Sequence, residues 1–118
     1  MVCLMMKPLQ ILNKQTLIDI IGDEPSEHLK FIASFLTQAQ ESLKKLVQLY
    51  NHNDYLNIRE EAHYLKTSAN AVGAEKVGDI LQQLEDYAVE SHKAKCKILI
   101  QHINVEVKQV YVEFKNDK

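Results

Sequence analysis

No strong charge of one sign marks this chain. Its formal net charge is −2 at pH 7 and its 14 lysines and arginines are scattered, so it offers no electrostatic footprint for nucleic acid. Proteins are the expected partners. Cysteine is scarce: Cys3 and Cys96 make no CxxC or zinc-type spacing, which fits a reducing compartment and leaves both as bystanders. No run approaches the roughly 18 consecutive apolar residues of a membrane span. The apolar start, Met1 to Met6, is followed by Lys7 and Pro8 without a small-residue cleavage pattern. These absences predict a cytoplasmic protein with no membrane association. What the chain does have is 46% hydrophobic and 25% charged residues over 118 positions, enough for one compact core and too little for two ordinary domains.

With only three glycines and two prolines, the breaks fall in few places and leave helices joined by short turns. Residues 1–12 read as an irregular start and 13–118 as a single helical domain. Asn13 can cap a short helix through Ile21, with Leu17, Ile20 and Ile21 on one stripe and Gly22 ending it. Pro25 suits the first turn of a long helix to about Tyr50, whose apolar positions Leu29, Ile32, Ala33, Leu36, Ala39, Leu43, Leu46, Val47 and Tyr50 follow the helical period. Asn51-His52-Asn53 makes a turn, and Asp54 can cap a third helix to about Asn70. Gly73 and Ala74 then separate it from a fourth, Glu75 to about Val89, with Val77, Ile80, Leu81, Leu84 and Ala88 inward.

The last segment, Ile98 to Phe114, is rich in isoleucine and valine, and Ile103-Asn104-Val105-Glu106-Val107 alternates as a strand would. Yet Cys96, Leu99, Ile100, Ile103, Val107, Val110, Tyr111 and Phe114 keep the i, i+3, i+4, i+7 spacing and no turn residue interrupts them, which predicts a helix of about 24 residues. The fold class expected is all-α: an antiparallel up-down four-helix bundle with the short first helix lying across one end.

The third helix carries the chemistry. Taking roughly 100° per residue from His63, Ile58, Ala62, Leu65 and Ala69 gather near 200 to 260°, while Arg59, Glu60, Lys66, Thr67 and Asn70 lie within about 60° of the histidine. The apolar stripe is complete without His63, so the imidazole is expected in solvent. A neutral imidazole has a nucleophilic nitrogen near pH 7 and needs no strong base. Lys66, one turn on, can approach phosphoryl oxygens as a point charge, in a reaction dominated by positioning and charge stabilisation. Thr67, Ser68 and Ala71 leave room for a partner surface, and Gly73 permits the turn that follows.

The stretch from His63 to Gly73 resembles the signature of histidine-containing phosphotransfer domains, His-x-Leu-Lys-Gly followed by small residues and then a glycine. His63, Leu65, Lys66, Ser68, Ala69 and Gly73 match it. Gly22-Asp23, Phe35 and Leu84-Glu85 extend the likeness over nearly the whole chain from about Leu12. The resemblance implies a four-helix bundle and a phosphohistidine intermediate, with His63 as acceptor, Lys66 steadying the phosphoryl group and Glu85 orienting the imidazole. Thr67 stands where the family most often has glycine; it could narrow a partner's approach, or bond an earlier helix carbonyl at little cost.

The implied function is a phosphorelay carrier of two-component signalling. It would take a phosphoryl group from a receiver-domain aspartate of a response regulator or hybrid histidine kinase and pass it to another, without kinase activity of its own. It would need no cofactor, the divalent metal belonging to the receiver, and would act as a monomer. Leu56, Arg59, Glu60, Thr67 and Asn70 are the expected docking residues.

Two rivals remain. A degenerate, purely adaptor bundle would not need Lys66 beside His63. A metal-binding helical bundle could use the E-x-x-H of Glu60 to His63, but no second copy precedes His28, His52, His92 or His102. His92 and Cys96, spaced i, i+4, lack convergent partners. A free-standing carrier and one module of a larger chain read alike.

Overall fold

The computed structural model describes residues 8–116, so the readings of Met1 to Met6 and of Cys3 fall outside the described residues. Five helices follow one another: α1 (Lys14–Ile21), α2 (Pro25–Asn51), α3 (Tyr55–Val72), α4 (Glu75–Val89) and α5 (Lys93–Asn116). Helix α2 packs on α3, α3 on α4, α4 on α5, and α5 back on α2, which closes the long helices into a four-membered bundle; α1 rests on α3. At about 1.5 Å per residue the 27 residues of α2 are about as long as the molecule's greatest extent, 42 Å.

The ends are set by the residues that the sequence nominates. Asn13 accepts from the Gln15 amide at 3.1 Å and Asp54 from that of Asn57 at 3.3 Å, each satisfying an amide with no intrahelical partner. Pro25 occupies the first turn of α2, where its missing N–H costs nothing. Gly73 ends α3 in the left-handed region, φ 85° and ψ 15°. Its carbonyl accepts from the Asn13 amide at 2.7 Å, and this bond draws α1 onto the end of the bundle. At the start of α5, His92 accepts from the Lys95 amide at 3.3 Å, so this histidine is a helix cap while Cys96 points into the core.

The isoleucine- and valine-rich segment is helical throughout. Its apolar spacing buries Cys96, Leu99, Ile100, Ile103, Val107 and Val110 together, which the alternating strand pattern would have divided between two faces.

Helix α2 departs from expectation. Its buried line runs through Ile32, Phe35, Ala39, Ser42 and Leu46, turned by roughly 70° from the apolar count. Leu29, Ala33 and Val47 are exposed instead. Phe35, the largest fully buried side chain, and Ser42 carry the line round; the Ser42 hydroxyl donates to Glu61 Oε2 at 2.6 Å and so enters the core without an unmet hydrogen bond. Ile20 is also exposed, because α1 is two turns long and commits only Leu17 fully to the interior. Tyr111 is half-exposed. With Leu17, Ile18, Leu29 and Phe114 it lines an apolar groove of about 600 Å³ between α1, the start of α2 and the end of α5.

Candidate functional site

Helices α3 and α4 make the most extensive pairing in the bundle, joined by the two-residue turn Gly73-Ala74. That short turn fixes an antiparallel register. Asn70 lies against Gly78, Lys66 meets Gln82, and His63 meets Glu85. Each step back along α3 is matched by one forward along α4, so residues distant in sequence form one polar strip on the solvent side of the pair. At Gly78 an added Cβ would fall on Asn70 Oδ1, so the absence of a side chain there lets the amide lie flat on α4.

The His63 ring stands at the centre of the strip with its side chain 63% exposed, while Ile58, Ala62, Leu65 and Ala69 on the opposite side of α3 are all fully buried. Nδ1 lies 3.3 Å from Glu85 Oε1. Since a carboxylate can only accept, this contact is a hydrogen bond for the tautomer that carries its proton on Nδ1, and Nε2 is then the nitrogen with a free lone pair. A shallow cleft of about 460 Å³ opens beside the ring, bounded by Arg59, Glu60, Glu85, Asp86 and Val89.

Lys66 is not the free-standing cation that its place on the helical wheel suggests. Its side chain is 19% exposed, with Nζ 2.8 Å from Glu85 Oε2 and donating to Gln82 Oε1 at 2.6 Å. The Glu85 contact is an ion pair in which Oε2 makes no well-directed hydrogen bond. Gln82 is in turn held by donating to Asp86 Oδ1 at 3.0 Å. Thr67 donates to the His63 carbonyl at 3.2 Å, so the hydroxyl is folded onto its own helix.

Leu56, Arg59, Glu60, Thr67 and Asn70 are all exposed around the ring, as the wheel predicts. Two apolar neighbours went unassigned by sequence: Tyr64, next to the histidine, and Val89, at the end of α4, both more than half exposed. Gln82 and Asp86 were also missed. The signal was present in the turn length: the two-residue connection Gly73-Ala74 sets the polar positions of α4 opposite those of α3. The larger apolar groove under α1 contains none of the residues of this strip.

The structure is thus an up-down four-helix bundle that presents an exposed histidine with its Nδ1 held by a neighbouring helix. The family model of the Hpt domain matches residues 30–112, and the chain belongs to that family. It is a phosphorelay carrier of two-component signalling. Among solved structures, the chain is similar to histidine-containing phosphotransfer protein B from Pseudomonas aeruginosa PAO1. The TM-score is 0.79 at 22% identity, covering 93% of this chain and 96% of that one. It is also similar to a rice protein assigned as a histidine-containing phosphotransfer protein, with a TM-score of 0.79 at 16% identity over 89% of this chain and 79% of that one. At these identities the likeness is one of fold. No curated protein sequence matches this chain.

Proposed function

We propose that His63 Nε2 is the phosphoryl acceptor of this carrier. The observation behind the assignment is the exposed ring with Nδ1 engaged by Glu85 and Nε2 unobstructed. When a receiver's aspartyl phosphate docks, Nε2 attacks phosphorus, the bond from phosphorus to the aspartate oxygen breaks, and the aspartate leaves as a carboxylate. The Nδ1 proton stays on the ring, held by Glu85, so no base is required. Passage to a second receiver is the same displacement reversed, because the protein only aligns two reactive phosphoryl compounds. Lys66 offers positive charge to the phosphoryl oxygens. The divalent metal that assists belongs to the receiver's acidic pocket, and this chain supplies imidazole and ammonium.

Receiver domains dock over Leu56, Arg59, Glu60, Thr67 and Asn70, with Tyr64 and Val89 adding apolar area. The carrier acts as a monomer in the cytoplasm; among the described residues no helix is long and apolar enough to cross a membrane. Incubation with phosphorylated receiver domains should place an acid-labile phosphoryl group on the chain that is absent in His63→Gln. Lys66→Ala should slow capture while the helical signal is kept. Failure to label from several receivers and from a small phosphoryl donor would return the chain to the adaptor reading.

A further inference from the structure

Lys66 is engaged before any phosphoryl group arrives. Glu85 divides its two carboxylate oxygens between two residues, Oε1 on the His63 ring and Oε2 in an ion pair with the Lys66 ammonium, and Gln82 Oε1 accepts a hydrogen bond from the same ammonium. Both anchors sit on α4, and the Gln82 amide is fixed by Asp86. The Glu85 side chain is 13% exposed, so its pairing with Lys66 is shielded from water and less screened than a surface ion pair.

Building on the assignment of His63 as acceptor, we propose that Glu85 and Gln82 are positioning residues that restrain Lys66, so that the ammonium reaches a phosphoryl group on His63 only by giving up its partners on α4. The loading rate is then set by a competition. The entering phosphoryl group brings about two negative charges and three acceptor oxygens, which outbid one carboxylate and one amide for the same cation. The flexible four-carbon stem of lysine allows the exchange without movement of α3. Once Lys66 turns to the phosphoryl group, Glu85 keeps its bond to Nδ1–H. Its oxygens are therefore separable in function: one orients the ring, the other holds the cation back.

Phosphoramidate tests this without a receiver: Nε2 attacks phosphorus, the phosphorus–nitrogen bond breaks and ammonia leaves. Loading is followed by intact mass in the parent chain, Gln82→Ala, Glu85→Gln, and each of these combined with Lys66→Ala, with circular dichroism reporting the fold. Gln82→Ala removes an anchor without altering charge and should load about threefold faster; Glu85→Gln, which keeps an acceptor for Nδ1–H, should load about tenfold faster. In the Lys66→Ala background the Gln82→Ala gain should vanish, and the Glu85→Gln gain should shrink to roughly the twofold expected from removing a negative charge. Equal gains with and without Lys66, or no gain from either variant, overturn the restraint. A parent chain that takes no acid-labile phosphate overturns the acceptor assignment beneath it, a result distinguishable from the first.

Discussion

Two glycines five residues apart should respond to alanine in opposite directions. Gly73 sits at φ 85°, ψ 15°, where an L side chain costs about 1 to 2 kcal/mol. Its Cβ would also fall on the carbonyl oxygen of Asn13 and lie 3.1 Å from both Thr16 Cβ and Oγ1. Asn13 cannot retreat cheaply, because its amide donates to the Gly73 carbonyl at 2.7 Å and its side chain to Glu75 Oε2 at 2.8 Å. Overpacking of this kind adds about 1 to 3 kcal/mol, and the stiffer unfolded chain returns no more than about 1 kcal/mol of benefit. Gly73→Ala should therefore lose about 1 to 4 kcal/mol.

Gly78 lies inside α4, where alanine gains about 1 kcal/mol in helix propensity. The atom its Cβ would meet is the end of the exposed Asn70 side chain, which can swing into water. Gly78→Ala should be neutral or up to about 1 kcal/mol more stable. Urea unfolding followed at 222 nm reads both. With a slope of about 2 kcal/mol/M, Gly73→Ala should bring the midpoint down by about 0.5 to 2 M and Gly78→Ala should leave it level or raise it. Losses of equal size from the two would show that the Asn13 contact does not constrain the turn.

Thr67→Arg sets a long charged side chain one turn from His63 and should lower the rate of transfer from a phosphorylated receiver at least several-fold with an unchanged circular-dichroism spectrum; equal rates would remove Thr67 from the docking surface. Ser42→Ala strips a half-buried Glu61 carboxylate of its 2.6 Å donor and should cost about 1 to 3 kcal/mol in urea unfolding, since Lys45 Nζ at 3.9 Å from Glu61 Oε1 is too distant to replace it. Burial pushes the Cys96 thiol above its ordinary value, so at pH 8 the folded chain should leave Cys96 unalkylated by iodoacetamide, and urea should expose it. Because the unfolded thiol ionises first, the stability that Cys96 contributes is intact below about pH 8.5 and should decline as pH rises beyond it. Alkylation of Cys96 in the native state, mapped by mass spectrometry, would contradict its placement.

The sequence made the helices legible because the same residues served propensity, capping and burial at once. Asn13, Asp54, Pro25 and Gly73 mark the ends they were read to mark, and α4 covers the expected span, Glu75 to Val89. Reading failed where a polar residue did an apolar residue's job. A count of hydrophobic side chains cannot admit Ser42 to the core, because what makes its burial tolerable is Glu61 on another helix. Leu29 and Tyr111 failed for the complementary reason, that among the described residues the end of the bundle under α1 is an open groove. At the site, exposure of His63 followed from the wheel of one helix alone. The confinement of Lys66 did not, because it depends on Gln82 and Glu85 across an interface.

That interface explains why the turn and the chemistry are one problem. Asn70 with Gly78, Lys66 with Gln82 and His63 with Glu85 are successive contacts of a single register, and the register begins at Gly73. A turn of another length would have to join the same two packed faces over a different span of chain, so the two-residue connection suits this register. The core residues Val77, Ile80, Leu81 and Leu84 share the 15-residue helix with Gln82, on its far side, and Glu85, at the border of the apolar face. Hydrophobic burial therefore sets the rotation of α4, and that rotation delivers the Glu85 carboxylate to the imidazole. The left-handed glycine that ends α3 thus acts at a distance on the ring nitrogen, through the core.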